Sequence, residues 1–294
     1  MEIDKRYGGG ESFAGNVLRR AILALSLIVA LPGLAFPVHL EGSLDIGTGG
    51  GYDDNLNHAL SNNQKEGAAF VTSWITLSAS KDIFKKGRYS LSAGYAGTYY
   101  ASFTDLTVNG FTMRGGILYP VTKSVLINGG VLWEARTYGD SDRDATVYGL
   151  SIGIKKQVHD KLGLRMGYQY TNHAAEESVF SYDANRFSVN GETSVTKTSY
   201  LTLGYALEFS ESIFYQLATA PTPSGAHGRR PSTTFGANQV VLKTDSVAHV
   251  FSVDWDQDIY NGIYWLLGYV YSYVQRDPKD YRDNFVSGRV GYRF

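Results

Sequence analysis

Apolar and polar residues alternate one for one through most of this chain. Along Val38–Tyr52, Leu40, Leu44 and Ile46 interleave with Glu41, Ser43 and Asp45. In Ala69–Lys81, Val71, Ile75, Leu77 and Ala79 oppose Thr72, Trp74, Thr76 and Ser78. The alternation returns in Arg88–Ala101, Val108–Tyr119, Ser124–Tyr138, Ala145–Lys156, Leu162–Asn172, Asp183–Val195, Tyr200–Ser210, Val247–Asp256 and Gly262–Val274. It ends in Asp283–Phe294, where Val286, Gly288, Val290, Tyr292 and Phe294 oppose Phe285, Ser287, Arg289, Gly291 and Arg293. A period of two is the signature of an extended strand with one wet and one apolar face. Twelve strands are predicted. The pattern is thinnest in Asp183–Val195.

The connections fall into two kinds. Asp82–Gly87, Pro120–Lys123, Gln157–Lys161, Thr196–Ser199 and Gln257–Asn261 are short. The others are polar and mostly longer, Gly139–Asp144 among them as a solvated loop. The longest, Glu211–Ser246, holds Pro221, Pro223, Pro231 and Gly228-Arg229-Arg230 and reads as irregular. Short turns on one side and long loops on the other suit an all-β, transmembrane antiparallel up-and-down barrel, with lipid outside and water inside. An even strand count puts both barrel ends on the side of the short turns. A soluble sandwich or propeller would alternate too. The loop asymmetry and tyrosines near strand ends favour the barrel: Tyr89, Tyr99, Tyr119, Tyr138, Tyr168, Tyr260 and Tyr273 suit two interfacial girdles.

Upstream, Arg19 and Arg20 precede the apolar run Ala21–Ala30, Pro32 breaks it, and Gly33 and Ala35 supply a small-residue cleavage site. The run is shorter than the roughly 20 residues a helical span needs. Residues 1–35 are expected to be a cleaved signal peptide and 36–294 one barrel domain, placed in the bacterial outer membrane.

Composition narrows the chemistry. With no cysteine there is no disulfide framework and no thiolate-held metal, and a net charge of −1 gives no footprint for nucleic acid. Gly-x-Ser-x-Gly and His-Glu-x-x-His are absent. The expectation is a barrel that is not an enzyme, with no catalytic residue, metal or cofactor. Asp254, Asp256 and Asp258 lie near an expected turn, where they either solvate it or gather a calcium ion. His249 sits among lipid-facing residues.

Selection of a solute must then fall to the inward face. The strand phase places Glu41, Asp45, Arg88, Arg114, Glu134, Arg136, Lys155, Arg165, Arg186, Glu192, Glu208, Asp254, Arg289 and Arg293 there, eight basic and six acidic groups. An Arg or Lys facing mid-bilayer costs about 2–4 kcal/mol, so these charges belong in the lumen. They either pair across a filled interior or line a narrow, mildly basic pore.

Two stretches resemble known families. The terminal strand, ending on Tyr292-Arg293-Phe294, resembles the C-terminal signature of bacterial outer-membrane barrels. That resemblance implies recognition of Tyr292 and Phe294 by the barrel-insertion machinery. Gly51-Tyr52-Asp53-Asp54-Asn55-Leu56-Asn57 resembles the end of the first strand in the β-barrel porin 2 group, linked to exopolysaccharide export. It also resembles the barrel domain of surface lipoprotein assembly modifiers. Asp280-Tyr281-Arg282-Asp283-Asn284 is similar to both, although the chain has no tetratricopeptide region of the second kind. The resemblance implies export or polysaccharide partners beside outer-membrane lipid. The local reading of Asp53-Asp54-Asn55 is an Asx turn opening the first loop. Two functions are therefore expected: a porin-like channel for small or sugar-like solutes, anionic ones included, or an export-associated barrel. The alternative is a structural barrel with a plugged lumen, whose loop 211–246 binds a partner or folds inward.

Overall fold

The computed structural model describes residues 41–59, 65–83, 86–277 and 279–294. The expected signal peptide and the first residues of the expected Val38–Tyr52 strand lie outside them. The described strands are β1 (Glu41–Asp53), β2 (Ala68–Ile83), β3 (Gly87–Tyr100), β4 (Val108–Pro120), β5 (Val125–Tyr138), β6 (Ala145–His159) and β7 (Leu162–Ala175). They continue with β8 (Tyr182–Ser194), β9 (Ser199–Leu217), β10 (His227–Ser232), β11 (Gln239–Tyr260), β12 (Ile263–Arg276) and β13 (Tyr281–Arg293). Each pairs antiparallel with its neighbours, β9 pairs with β11, and β13 pairs back onto β1. Twelve strands close a barrel, and β10 adds only to the upper part of β11. Closure leaves no unpaired edge in the wall, which a lipid environment requires.

The registers fix which way each side chain points. Asp45 is opposite both Arg293 and Thr76, and Ile46 is opposite Tyr292 and Ile75. The odd residues of β1 therefore face the lumen and the even ones face out. Carried around the barrel, the same phase leaves Val71, Ile75, Val131, Leu150, Ile152, Leu203 and Val290 exposed on the outer surface, Ile152 by 64 %. On a soluble protein this apolar belt would be an aggregation surface; in a bilayer it is the favoured one.

Tyrosines mark the belt's outer border, and each is tied to a polar group on the next strand. The Tyr95 and Tyr99 hydroxyls donate to Asn109, that of Tyr168 to Asn185 and that of Tyr170 to Asp183. Tyr269 donates to Asn284, Tyr273 to Asp280, and Tyr205 bonds His249. A ring in lipid with its hydroxyl at the polar boundary is the arrangement tyrosine favours. Tyr138 departs from expectation. It sits at an even position of β5, in phase with Glu134 and Arg136, and lines the lumen instead of the girdle.

The two distinctive end motifs meet at the closure seam. Asn55 N–H donates to the Asp53 carboxylate, the expected Asx turn. Asn284 donates to Asp54 through backbone and side chain at 2.7 and 2.8 Å, and the Asn55 amide donates to Arg282 C=O. Gly51–Asn55 and Arg282–Asn284 thus form one clasp between β1 and β13.

The expected irregular stretch Glu211–Ser246 is mostly strand. β9 continues to Leu217 and β11 starts at Gln239, pairing without a break from Gln239↔Leu217 to Gln257↔Ser199. The hairpin overshoots the barrel rim by about seven residues on each arm. The prolines sit in its tip and in the short β10.

Candidate functional site: the lumen and its cap

The overshooting hairpin lies across the outer mouth. It touches loops around the whole rim, which a segment standing upright beside the barrel could not do. His58, after β1, donates from Nδ1–H to Ile213 C=O at 2.8 Å. Phe103, after β3, packs on Phe235. Arg143, after β5, bonds the Tyr215 hydroxyl, and its neighbour Asp142 pairs with Arg230. Glu177, after β7, pairs with Arg230 from the other side, and Ser181 C=O accepts from Lys243. Arg276, at the top of β12, donates to Ser212 and to His58 C=O and lies over the Phe214 and Tyr281 rings. The expected solvated loop Gly139–Asp144 is therefore a docking site for the hairpin.

Both faces of the hairpin are buried. Val241 packs with Val179 and Phe180 of the β7–β8 connection. Phe214, Leu242 and Val240 form a second cluster, and Phe214 and Leu242 have no exposed surface. Fully burying a side chain of this size contributes about 1.5–3 kcal/mol. Burial holds the His58 imidazole below its ordinary pKa, and Arg276 and Arg143 nearby push the same way. A chamber of about 310 Å³ remains under the cap, with His58, Tyr138, His173 and Glu211 among its lining residues.

The inner half is different. A cavity of about 390 Å³ opens there between Trp74, Thr76, Ser92, Thr112, Arg114, Asp256, Tyr264, Arg289 and Arg293. Small wall residues seat its large side chains. A Cβ at Gly47 would come within 2.2 Å of the Trp74 ring, and one at Gly49 within 2.9 Å of Arg289. The floor is a network centred on Asp45. It accepts from Trp74 Nε1–H at 2.6 Å, from the Tyr264 hydroxyl at 2.9 Å and from Arg293 at 3.2 Å.

The registers put all ten lumen candidates, Arg88, Arg114, Glu134, Arg136, Lys155, Arg165, Arg186, Glu192, Glu208 and Arg289, on the inward face. Most are joined in pairs. Arg88 bonds Glu41 and Asp82, Arg136 bonds Glu134, Lys155 and Arg165 share Glu192, and Arg186 pairs with Glu208. Arg114 and Arg289 have no such partner among the described residues. Sequence reasoning left out Asp82, Asp258 and Arg276, whose phase becomes legible only once the strands are known to run that far, and also Asp256, which shares the phase of Asp254 at the end of the expected Val247–Asp256 strand. With them the wall is not mildly basic throughout. β4–β8 carry Arg114, Arg136, Lys155, Arg165 and Arg186 against Glu134 and Glu192. β9, β11, β13 and β1 are richer in carboxylates, among them Glu208, Asp254, Asp256, Asp258, Asp283 and Asp45.

Asp254, Asp256 and Asp258 are not at a turn: they are alternate residues of β11, with Trp255 facing lipid between them. Among the described residues, the carboxylates close enough to share an ion are instead Asp53, Asp54 and Asp283 of the clasp. Asp54 there is already engaged by Asn284 and Lys65. Hydrogen bonds from Asn284 and the Lys65 charge outweigh the effect of burial and hold the Asp54 carboxyl below its usual range.

No family model and no curated protein matches the chain. Among solved structures, an outer membrane channel from Pseudomonas putida F1 aligns over 88 % of this chain and 97 % of its own, at 11 % identity and a TM-score of 0.52. The NanC porin aligns over 85 % of this chain and 98 % of its own, at 12 % identity and 0.47. The KdgM porin in complex with disordered oligogalacturonate aligns over 86 % and 99 %, at 12 % and 0.44. The first of these carries the likeness, and it is a likeness of fold. With its closed wall, apolar belt and tyrosine border, the chain is a bacterial outer-membrane β-barrel.

Proposed function

We propose that this barrel is a porin-like channel for small polar solutes, sugar-like and anionic ones included, and that the β9–β11 hairpin is its constriction. The observation that carries this reading is the inner cavity. A barrel with only a structural role gains by packing its interior, whereas here Gly94, Ala96 and hydroxyl side chains leave about 390 Å³ open against a charged wall. The hairpin stands between that cavity and the outside. It supports a channel whose conduction depends on how firmly the cap is seated. The channels and porins among its structural neighbours share the architecture and lend the reading context only.

An export role draws no separate support from the end motifs, because their residues are engaged in closing the seam. The second reading, a plugged barrel, draws on the burial of Phe214, Val241 and Leu242.

Planar-bilayer recording separates the two. The test compares the full barrel with one whose residues 212–244 are replaced by an Asn-Gly turn joining the two arms at the rim. A channel gives ohmic steps that grow several-fold on shortening the hairpin. Silence from both forms, with heat-modifiable migration intact, would sink the channel reading.

A further inference from the structure

We propose that the inner cavity is a binding site for a carboxylated sugar, with Arg114 and Arg289 taking the carboxylate and Trp74 the apolar face of the ring. This deepens the channel reading and rests on it for biological meaning, although the binding itself does not require conduction.

Three observations converge. The first is unspent charge. The other inward cations of β3–β8 and Arg293 are committed to carboxylates, but Arg114 and Arg289 line the same cavity with no ion pair or hydrogen bond among the described residues. Asp254 feels Arg289 electrostatically, yet no ion pair joins them. A free guanidinium offers a planar fork of donors that matches a carboxylate in two parallel bonds.

The second observation is the platform. The Trp74 indole lies against the wall over Gly47, so close that a Cβ there would overlap it. Its N–H is fixed by Asp45, which Tyr264 and Arg293 hold in turn. The ring packs against Gly47 and lines the cavity. A pyranose presents an apolar C–H face that packs on such a ring, and its hydroxyls need polar partners around it. Thr76 and Thr112 supply these from the adjoining strands.

The third observation is a carboxylate in the lining. Asp256 lines the same cavity. It accepts from hydroxyls and repels a second negative charge. The site therefore suits a sugar with one carboxylate better than a phosphate dianion. Its volume lies within the usual range for small-ligand sites, about 300–1,000 Å³.

Tryptophan fluorescence tests this without any current. Of the four tryptophans, Trp133, Trp255 and Trp265 are in the outward phase, so lumen quenching reports Trp74. The full barrel in detergent is titrated with glucuronate, and with glucose, acetate and inorganic phosphate as controls. Glucuronate should quench saturably, and each control should bind at least about tenfold more weakly: glucose for want of the charge-assisted contact, acetate for want of the ring, and phosphate for its second negative charge. Arg114→Gln and Arg289→Gln should each weaken glucuronate about tenfold, the double variant should abolish saturation, and Trp74→Phe should remove the signal. Heat-modifiable migration checks that each variant is folded. Equal binding of acetate and glucuronate would reduce the site to a general anionic attraction and overturn the proposal, as would an unaffected double variant. If the shortened-hairpin barrel conducts but glucuronate does not bind, the channel stands and only this site falls. If glucuronate binds and neither form conducts, the channel falls and the site stands.

Discussion

The two halves of the lumen are built from the same strands and come to opposite ends. Toward the long loops the lumen is capped: Phe214, Val241 and Leu242 are fully buried, the hairpin is tied to five loops or strand ends, and a chamber of about 310 Å³ is left beneath it. Toward the short turns it is open: glycines line β1, hydroxyls line β2–β4, and two arginines have no ion-pair partner among the described residues. The wall strands alternate in the same way through both. What differs is how far the β9–β11 pair continues past the rim. Seven extra residues on each arm turn an open mouth into a capped one, while the inner half keeps the space a solute needs.

Substitutions can break this contrast, and the largest effect belongs to the wall itself. Gly47→Val puts a side chain where the Trp74 ring and Val290 C=O leave 2.2 and 2.6 Å. The strands cannot move apart without losing the closing ladder. The yield of heat-modifiable barrel should fall by more than half, read on a semi-native gel. An unchanged yield would mean that the inner half is less tightly specified than described.

Phe214→Ala strikes the other half. Removing a fully buried Phe costs about 3–5 kcal/mol. Because the cost falls on the cap, the hairpin should become protease-sensitive in intact membranes while the barrel keeps its heat-modifiable shift. Loss of both together would mean that cap and wall are one cooperative unit.

Acid offers a milder handle. His58 lies outside the membrane wall, buried and held below its ordinary value of 6.5. Below about pH 6.5 His58 gains a proton when the hairpin is undocked and resists it when the hairpin is docked, so docking is fully stable above that pH and weakens as pH falls through it. Conductance should rise between pH 7.5 and pH 5, and His58→Gln should flatten the rise. A pH response that survives the substitution would assign the titration elsewhere. The smallest effect is expected of Arg230→Ala. Its pairs with Asp142 and Glu177 are partly solvated and together are worth about 1 kcal/mol or less. A slight gain in protease sensitivity, with no change in the barrel, is the expected outcome.

Much of the wall was legible in the sequence, because period two, lipid outside and water inside leave each strand one phase. The inward position of Arg114 and Arg289 followed from that rule alone. The cap was not legible. Ile213, Tyr215 and Leu217 continue the alternation of Tyr200–Ser210, but prolines nearby and the run Val240-Val241-Leu242 obscured it. In a hairpin buried on both faces the alternation fades, since neither face has to be polar. The clasp was visible as two motifs and not as one object: nothing local says that Asp54 and Asn284, 230 positions apart, share three hydrogen bonds. Tyr138 shows the same limit. A tyrosine near a strand end suggests a girdle, and only the register shows that this one faces in.

The central claim is that one hairpin separates an open lumen from the outside, and a reversible lock tests it most directly. The chain has no cysteine of its own. A Cβ built at Gly228, in the hairpin, would stand 3.2 Å from Val179 Cβ in the β7–β8 connection. Disulfides span Cβ separations of about 3.5–4.5 Å, so Val179→Cys with Gly228→Cys needs only a few tenths of an ångström of adjustment. Gly228 has φ of +69°, which a cysteine tolerates at about 1 kcal/mol. Single-channel conductance is recorded before and after adding reductant to the oxidised double variant. The account predicts low conductance while the cap is locked and a stepwise rise when it is released. Equal conductance in both states, with the disulfide verified by mass, would contradict it.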